Sequence, residues 1–412
     1  MPRRWLLVAG TFLLSVLLYV DRACISSAKE PITKALGLTD AQFGWALSAF
    51  ALGYALLQTP SGALADRLGP RKLLSGVVAL WSLFTGLTGA VSGFLPLVVV
   101  RFLFGAGEAG AFPGMARAAV AWVPLAERGR VQGINFSGSR LGAAFAMPTI
   151  ATLITAVGWR MTFVILMAAG FVWAALWFLL FKDRPEDHNG LPDAERAHIL
   201  ATRQQATPLT DTAPLPLLRT PNLTLAMAQY FCSNFVFFFT LTWLFPHLKK
   251  TYDLSAVSAG WLAAAPLLAG AAGNLLSGWL VDRLYKQGKT TLSRQLPAIL
   301  GFVLAAVGLV FGANANTAPL AVFWLSVAIF GADMTLAPSW ALCMDIGGAR
   351  AGAVSGTMNM AGNIGSFVTS LAFPYLLQWT GSPTAFFYVG AGLSLLAIGC
   401  WRAVRIPSEV SR

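Results

Sequence analysis

Apolar residues run in stretches of about 20 along most of this chain, separated by short connectors that collect its Pro and charged residues. Twenty residues of helix span about 30 Å, the thickness of a bilayer's hydrocarbon core. On that rule twelve spans are expected, over 5–27, 41–65, 73–93, 95–118, 130–154, 159–181, 222–246, 256–280, 294–313, 318–343, 351–378 and 384–402. The one long polar segment, 182–221, is rich in Pro, Asp, Glu and Arg and separates six spans from six. The expected architecture is an all-α membrane protein: an N-terminal six-helix bundle (1–181), a cytoplasmic linker (182–221) and a C-terminal six-helix bundle (222–412).

Composition supports the membrane reading. Of 412 residues, 56% are hydrophobic and only 11% charged, with a mean hydropathy of +0.66; a soluble chain of this length would carry about 25% charged residues. The net charge of +12 does not point to nucleic acid, because the basic residues come one to three at a time in short connectors. With residues at the very ends of spans counted in the adjoining connector or tail, twenty of the 29 Lys and Arg lie in the two tails and the even-numbered connectors, and five lie in the odd-numbered ones. Both termini are therefore expected in the cytoplasm. Arg3 and Arg4 precede an apolar run without a clear small-residue cleavage site, so the first span is read as uncleaved. Cys24, Cys232, Cys343 and Cys400 stand singly, without C-x-x-C spacing, and read as packing residues. His188 and His198 read as solvated linker residues rather than metal ligands.

The halves repeat. Gly62, Leu64, Asp66 and Arg67 in GALADRLGPRK return as Gly278, Leu280, Asp282 and Arg283 in GWLVDRLYKQGK, at a constant offset of 216, each after the second span of its half. Such a repeat relates two six-helix units about an axis along the membrane normal and places substrate near the midplane. The same offset carries Asp21 and Arg22 onto Phe237 and Phe238, so the amino half is the charged one.

Candidate chemistry lies in charges buried within spans. In LVVVRFLFGAGEAGAFP, Arg101 and Glu108 are two helical turns apart on one face, and four glycines between positions 105 and 114 thin the same helix. An ionisable group in hydrocarbon costs about 2.5–3.5 kcal/mol and implies a partner; the candidates are Asp21 and Arg22 of LLYVDRACISS. The alternative is a permanent ion-pair network bracing two helices.

With these residues in view, GALADRLGPRK resembles the signature that follows helix two in the major facilitator superfamily, with Pro70 as a departure. YVDRACIS, RFLFGAGEAGAFPG, YFCSNFVFFFTLTWLFPHL and GNIGSF resemble the superfamily's anion:cation symporters, which import sugar acids and other carboxylates with protons. The resemblance implies family roles for Asp21, Arg22, Arg101, Glu108 and Asn363. Arg140, in NFSGSRLGAAF of the fifth span, departs from the neutral residue expected there; as a second cation it is a candidate substrate contact and argues against a simple monocarboxylate, the alternative being an arginine that satisfies carbonyls where Gly138 and Gly142 let helices pack closely.

Arg22 is the expected carboxylate anchor, because a guanidinium binds a carboxylate bidentately and keeps its charge. Asp21 and Arg22 point about 100° apart, so one is expected to face the cavity and the other the fourth span. Glu108 and Asp21 are the candidate proton carriers, since a carboxylate that gains and loses an arginine between conformations can load and unload a proton. Arg101 is expected to tune or gate, and Arg117 to belong to the inner gate. Asp333 of IFGADMTLAPSW is expected to pair with a basic group rather than carry protons. Tyr19, Tyr54, Ser139, Ser339, Trp340 and Asn363 are candidate neutral contacts to substrate. Asn359 shares Asn363's helix face and reads as interhelical glue. Phe235 to Phe239 read mostly as wall and lipid face, and Asp66 and Arg67 as a cytoplasmic latch.

A membrane enzyme is disfavoured: G-x-S-x-G and H-E-x-x-H are absent, and the QGKT at Gln287–Thr290 lacks the earlier glycine of a phosphate loop, position 283 being Arg. The expected protein is a proton-coupled symporter of the plasma (inner) membrane that imports a small organic anion, a carboxylate or sugar acid with a dicarboxylate or aromatic acid among the options, by alternating access. No cofactor is expected besides the coupling proton, no nucleic-acid partner, and a monomer should suffice. An organic-anion exchanger or uncoupled facilitator is the alternative, ahead of a non-transporting sensor.

Overall fold

The computed structural model describes residues 3–204 and 220–406; linker residues 205–219, including Arg219, and the tail with Arg412 lie outside them. Among the described residues there are helices and no strand. In hydrocarbon every unpaired backbone N–H or C=O costs several kcal/mol, and a helix satisfies them within one segment. In chain order the helices are α1 (Arg4–Ser27), α2 (Lys29–Leu36), α3 (Asp40–Leu68), α4 (Pro70–Ala90), α5 (Phe94–Glu108), α6 (Ala111–Trp122), α7 (Arg128–Leu180), α8 (Asp193–Thr202), α9 (Pro221–Thr242), α10 (Leu244–Thr251), α11 (Ala256–Lys286), α12 (Thr290–Ala313), α13 (Ala318–Met334), α14 (Leu336–Gly347), α15 (Ala351–Thr380) and α16 (Thr384–Ala403). Nine helical stretches among the described residues are long and apolar enough to cross a membrane. One of them, Ala318–Thr380, has 63 residues, and at about 1.5 Å per residue it is long enough for more than one crossing.

The breaks between helices have local causes. Within α7, Gly158 takes a φ of 78°, a left-handed conformation that glycine adopts without a Cβ clash; the fifth and sixth expected spans meet there. Between α5 and α6, Pro113 has no N–H for the carbonyl of Ala109, and between α13 and α14, Pro338 has none for Met334. The Met334 carbonyl accepts the Ser277 hydroxyl instead, at 2.5 Å.

The chain divides into two units, one of Met1–Pro124, Gly142–Thr212 and Gly347–Met360, the other of Leu125–Leu141, Ala213–Ile346 and Ala361–Arg412. In the first unit α3 and α5 cross closely: a Cβ on Gly53 would strike the Phe102 carbonyl, and one on Gly105 the Phe50 carbonyl. Part of the linker is folded onto this unit. The Glu195 carboxylate of α8 accepts the backbone N–H groups of Arg3 and Arg4 at 2.8 and 3.0 Å, and Ile199 is fully buried. His188, expected to be solvated, is half-buried and stands edge-on to Trp122 with ring centroids 5.7 Å apart; His198 is exposed.

In the second unit, glycines again let helices touch. A Cβ on Gly301 of α12 would strike the Gly331 carbonyl of α13. The aromatic run of α9 is interior rather than the wall and lipid face expected: Phe235, Phe237 and Phe239 are each at most 4% exposed. The cause is that α9 packs against α16, where Phe239 meets Phe386 and Phe387. Cys24, Cys232 and Cys343 are buried and Cys400 is half-buried; none forms a disulfide.

Candidate functional site

In the first unit, Arg22 of α1 donates from Nε to Glu108 Oε1 at 2.6 Å, and its Nη2 pairs with the same oxygen. Glu108 is the last residue of α5 and fully buried, whereas the Arg22 side chain is 16% exposed. The exposed surface of the pair is therefore on the arginine side. Three rings surround the guanidinium carbon, Tyr54 at 4.5 Å, Tyr19 at 5.2 Å and Phe50 at 5.3 Å, an arrangement that favours a cation through the rings' negative faces. Glu108 Oε2 has no hydrogen-bond partner among the described residues, so the carboxylate is held at one oxygen.

Asp21 makes its hydrogen bond to α4. Its Oδ2 accepts the indole N–H of Trp81 on α4 at 3.0 Å, and its Oδ1 is unpartnered among the described residues. Of the pair, Arg22 is the one that faces the fourth span, through Glu108, and Asp21 binds Trp81 of α4. Trp81 carried no signal in the sequence beyond being one of 14 tryptophans. Arg101 is 2% exposed and its guanidinium lies over Phe104 and Phe50, at 4.4 and 5.1 Å; it makes no hydrogen bond to a described residue at Nε. Tyr54 receives a 3.4 Å contact from Asn359 Nδ2, which also donates to Gln58 Oε1 at 3.0 Å. Gln58 was not singled out from sequence.

In the second unit, Arg140 of α7 holds Asp333 of α13 with both prongs of its fork, Nε to Oδ2 at 2.7 Å and Nη2 to Oδ1 at 2.6 Å. Both residues are at most 3% exposed. The Phe237 ring of α9 lies 3.5 Å from the guanidinium carbon. The same unit holds a neutral network. Trp340 donates to Tyr230 OH at 2.9 Å and packs against Phe136, and Gln229 donates to Ser339 Oγ at 3.0 Å. Tyr230 and Gln229 were missed in the sequence reading. Ser139 is fully buried with Oγ unpartnered among the described residues, and Asn363 is half-buried on α15.

The repeated motif caps a helix in each unit. Asp66 accepts from the backbone N–H of Gly352 and Ala353, at 2.9 and 2.8 Å, at the start of α15; Arg117 approaches it to 3.8 Å. Asp282 does the same for Gly129 and Arg130 at the start of α7, at 2.8 and 3.0 Å. A carboxylate there satisfies orphan donors and complements the helix dipole. Arg67 is exposed. A further buried group escaped the sequence reading: Arg128 and Arg294 both bind Asp345, at 2.8 and 2.9 Å. Both arginines had read only as topology charges.

Compared with known proteins, residues 11–370 match the model of the Major Facilitator Superfamily. The chain is similar to a probable sulfoacetate transporter, SauU, of Cupriavidus necator, 35% identical over 96% of this chain and 92% of that protein. It is similar to a probable galactarate/D-glucarate transporter, GarP, of Escherichia coli, at 32% identity over 97% and 94%. Among solved structures it resembles the proton:xylose symporter XylE, with a TM-score of 0.77 at 15% identity over 98% of this chain and 96% of that one. That last likeness concerns the fold.

Proposed function

The chain belongs to the major facilitator superfamily, and from that premise we propose that it is a proton-coupled symporter importing a small organic anion by alternating access. The observation that carries this reading is the Arg22–Glu108 pair, with a fully buried acid behind a partly exposed arginine. An arriving carboxylate or sulfonate competes with Glu108 for Arg22. Protonating Glu108 removes the competitor, so proton and anion favour the same state, and linkage makes each raise the affinity for the other. Its relatives' names denote transporters of sulfoacetate, galactarate/glucarate and galactonate, which supports an organic acid as the cargo.

In this reading Arg22 anchors the anion. Tyr19, Tyr54, Ser139, Ser339, Trp340 and Asn363 supply neutral contacts, and Asp21 is the second acid of the coupling site. Arg101 tunes Glu108, while Asp66, Arg67 and Arg117 act on the cytoplasmic side. The protein sits in the inner membrane and works as a monomer.

The test is uptake into proteoliposomes. Wild-type protein given sulfoacetate, galactarate or galactonate should accumulate its substrate under an inward proton gradient and alkalinise the outside. Glu108→Gln imitates the protonated acid; it should bind and exchange anion but no longer accumulate it. Accumulation by Glu108→Gln would remove Glu108 from the coupling role and leave Asp21 as the next candidate.

A further inference from the structure

The two acids of the proposed coupling site are each held at one oxygen by a group that can only donate. The Arg22 guanidinium takes Oε1 of Glu108 at 2.6 Å, and the Trp81 indole takes Oδ2 of Asp21 at 3.0 Å; neither donor has a lone pair to accept a proton in return. The second oxygen of each acid, Glu108 Oε2 and Asp21 Oδ1, is buried without a hydrogen-bond partner among the described residues. Glu108 has an arginine against it, whereas the Asp21 side chain takes its one hydrogen bond among the described residues from a neutral ring. The charged groups that act on Asp21 across the packing are Glu108 and Arg101, both of α5; α4 offers it the indole, and Cys24 stands near it on α1 itself.

Trp81 is held from several sides. Its side chain is fully buried. One helical turn on along α4, Thr85 Oγ1 donates to its carbonyl at 3.1 Å. The next helix lies against its backbone, since a Cβ on Gly107, the residue before Glu108, would stand 3.4 Å from the Trp81 nitrogen. Trp81 therefore touches the helices of both acids, with its backbone on α5 and its indole on α1. A buried indole needs only an acceptor, and backbone carbonyls supply one elsewhere in this unit: Trp122 donates to the Lys182 carbonyl and Trp173 to that of Gly10. The Trp81 indole ends instead on a carboxylate, where a hydrogen bond discriminates between charge states.

We infer that Trp81 is a positioning residue of proton coupling: its indole fixes Oδ2 of Asp21 as an acceptor and leaves Oδ1 as the atom that takes up the proton. This rests on the transport reading above and deepens it. A proton taken from water onto Oδ1 leaves Oδ2 a carbonyl oxygen that still accepts from Trp81, so the bond survives in both states and is stronger in the ionised one. The carboxyl keeps its orientation, and what changes is the charge that Glu108 and Arg101 meet.

Trp81→Phe keeps a buried ring and removes the donor. Purified full-length wild-type and variant proteins are titrated with sulfoacetate, galactarate and galactonate across the neutral pH range, with an indicator dye following proton uptake. Wild-type affinity should fall as pH rises. In Trp81→Phe the ionised Asp21 has lost a hydrogen bond that the protonated one needs less, so the fall should come about one pH unit higher. A merely structural tryptophan would weaken binding equally at every pH and leave the midpoint in place. Combined with Asp21→Asn, which cannot titrate, Trp81→Phe should no longer move the midpoint. Should Trp81→Phe fail to fold, wild-type protein isotope-labelled at its indole nitrogens carries the test by magnetic resonance. One indole N–H signal should move with pH, and it should stop moving in Asp21→Asn. If the midpoint of Trp81→Phe is that of wild type, or if no indole signal depends on Asp21, Trp81 is packing and this inference falls while the transport reading stands. Wild-type protein that binds none of these anions, or binds them without taking up protons, removes both.

Discussion

A guanidinium in hydrocarbon is costly unless it is paired, and Arg22 meets that cost with Glu108 and three aromatic rings. What a carboxylate would use there is the planar fork, which lysine lacks. Arg22→Lys should therefore fold, because it retains a charge to pair with Glu108, and should lose anion binding by about 2–3 kcal/mol or more. Ligand-induced shifts in melting temperature check this, and an unaltered shift in the Lys variant would make Arg22 structural. At this scale the sequence was informative about charge and poor about direction. Ionisable residues within spans stand out against hydrocarbon, so Arg22, Glu108, Arg140 and Asp333 could all be named. The rotation of α1 about its axis could not, and so which of Asp21 and Arg22 faces the fourth span stayed open; the indole partner of Asp21, Trp81, is an ordinary span residue by composition. Arg128 and Arg294 sit at span ends, where positive-inside topology explains any basic residue, and their shared Asp345 left no mark that would separate them from the rest.

Helix ends show what the repeated motif does. Asp66 and Asp282 each bind two backbone N–H groups at the start of a long helix. Asp66→Ala and Asp282→Ala should each cost about 1–2 kcal/mol, the combined scale of a lost cap and a lost dipole contact. Matched falls in melting temperature in detergent would show the two copies doing equal work; a fall in one alone would make the other a topology signal. The offset of 216 was visible in the sequence, but the helix each carboxylate caps is a tertiary fact. The linker shows the opposite failure. Its polar composition concealed α8, whose Glu195 is tied to the amino terminus. Burial opposes its charged form, yet the N–H groups of Arg4 and Arg3 and the Arg4 guanidinium prevail and hold its carboxyl below the usual range. A lowered folded value contributes stability above the unfolded value of about 4.3 and loses it as pH falls through the folded one. Hydrogen exchange at the start of α1, corrected for intrinsic rates, should therefore rise as pH falls below about 4, and Glu195→Gln should show that rise already at neutral pH.

For the molecule as a whole, the fold class follows from hydrocarbon's demand that backbone groups be satisfied internally, and the length of the apolar runs made it legible without any tertiary information. The expectation for orientation rests on a different force, the exclusion of basic residues from the translocated side. The imbalance is large: twenty Lys and Arg in the tails and even-numbered connectors against five in the odd-numbered ones. It also decides what the proposed coupling means, since an inward proton gradient drives import only if the chain is inserted one way round. Asn189 lies in the linker and Asn316 in the connector between α12 and α13, and both are exposed. The native cysteines are buried or half-buried, so labelling of the parent chain should be low. In intact cells a membrane-impermeant maleimide should label Asn316→Cys, and should label Asn189→Cys only after permeabilisation. The reverse pattern would invert the topology: both termini would face outward, and the gradient that loads Glu108 would then drive the anion out of the cell.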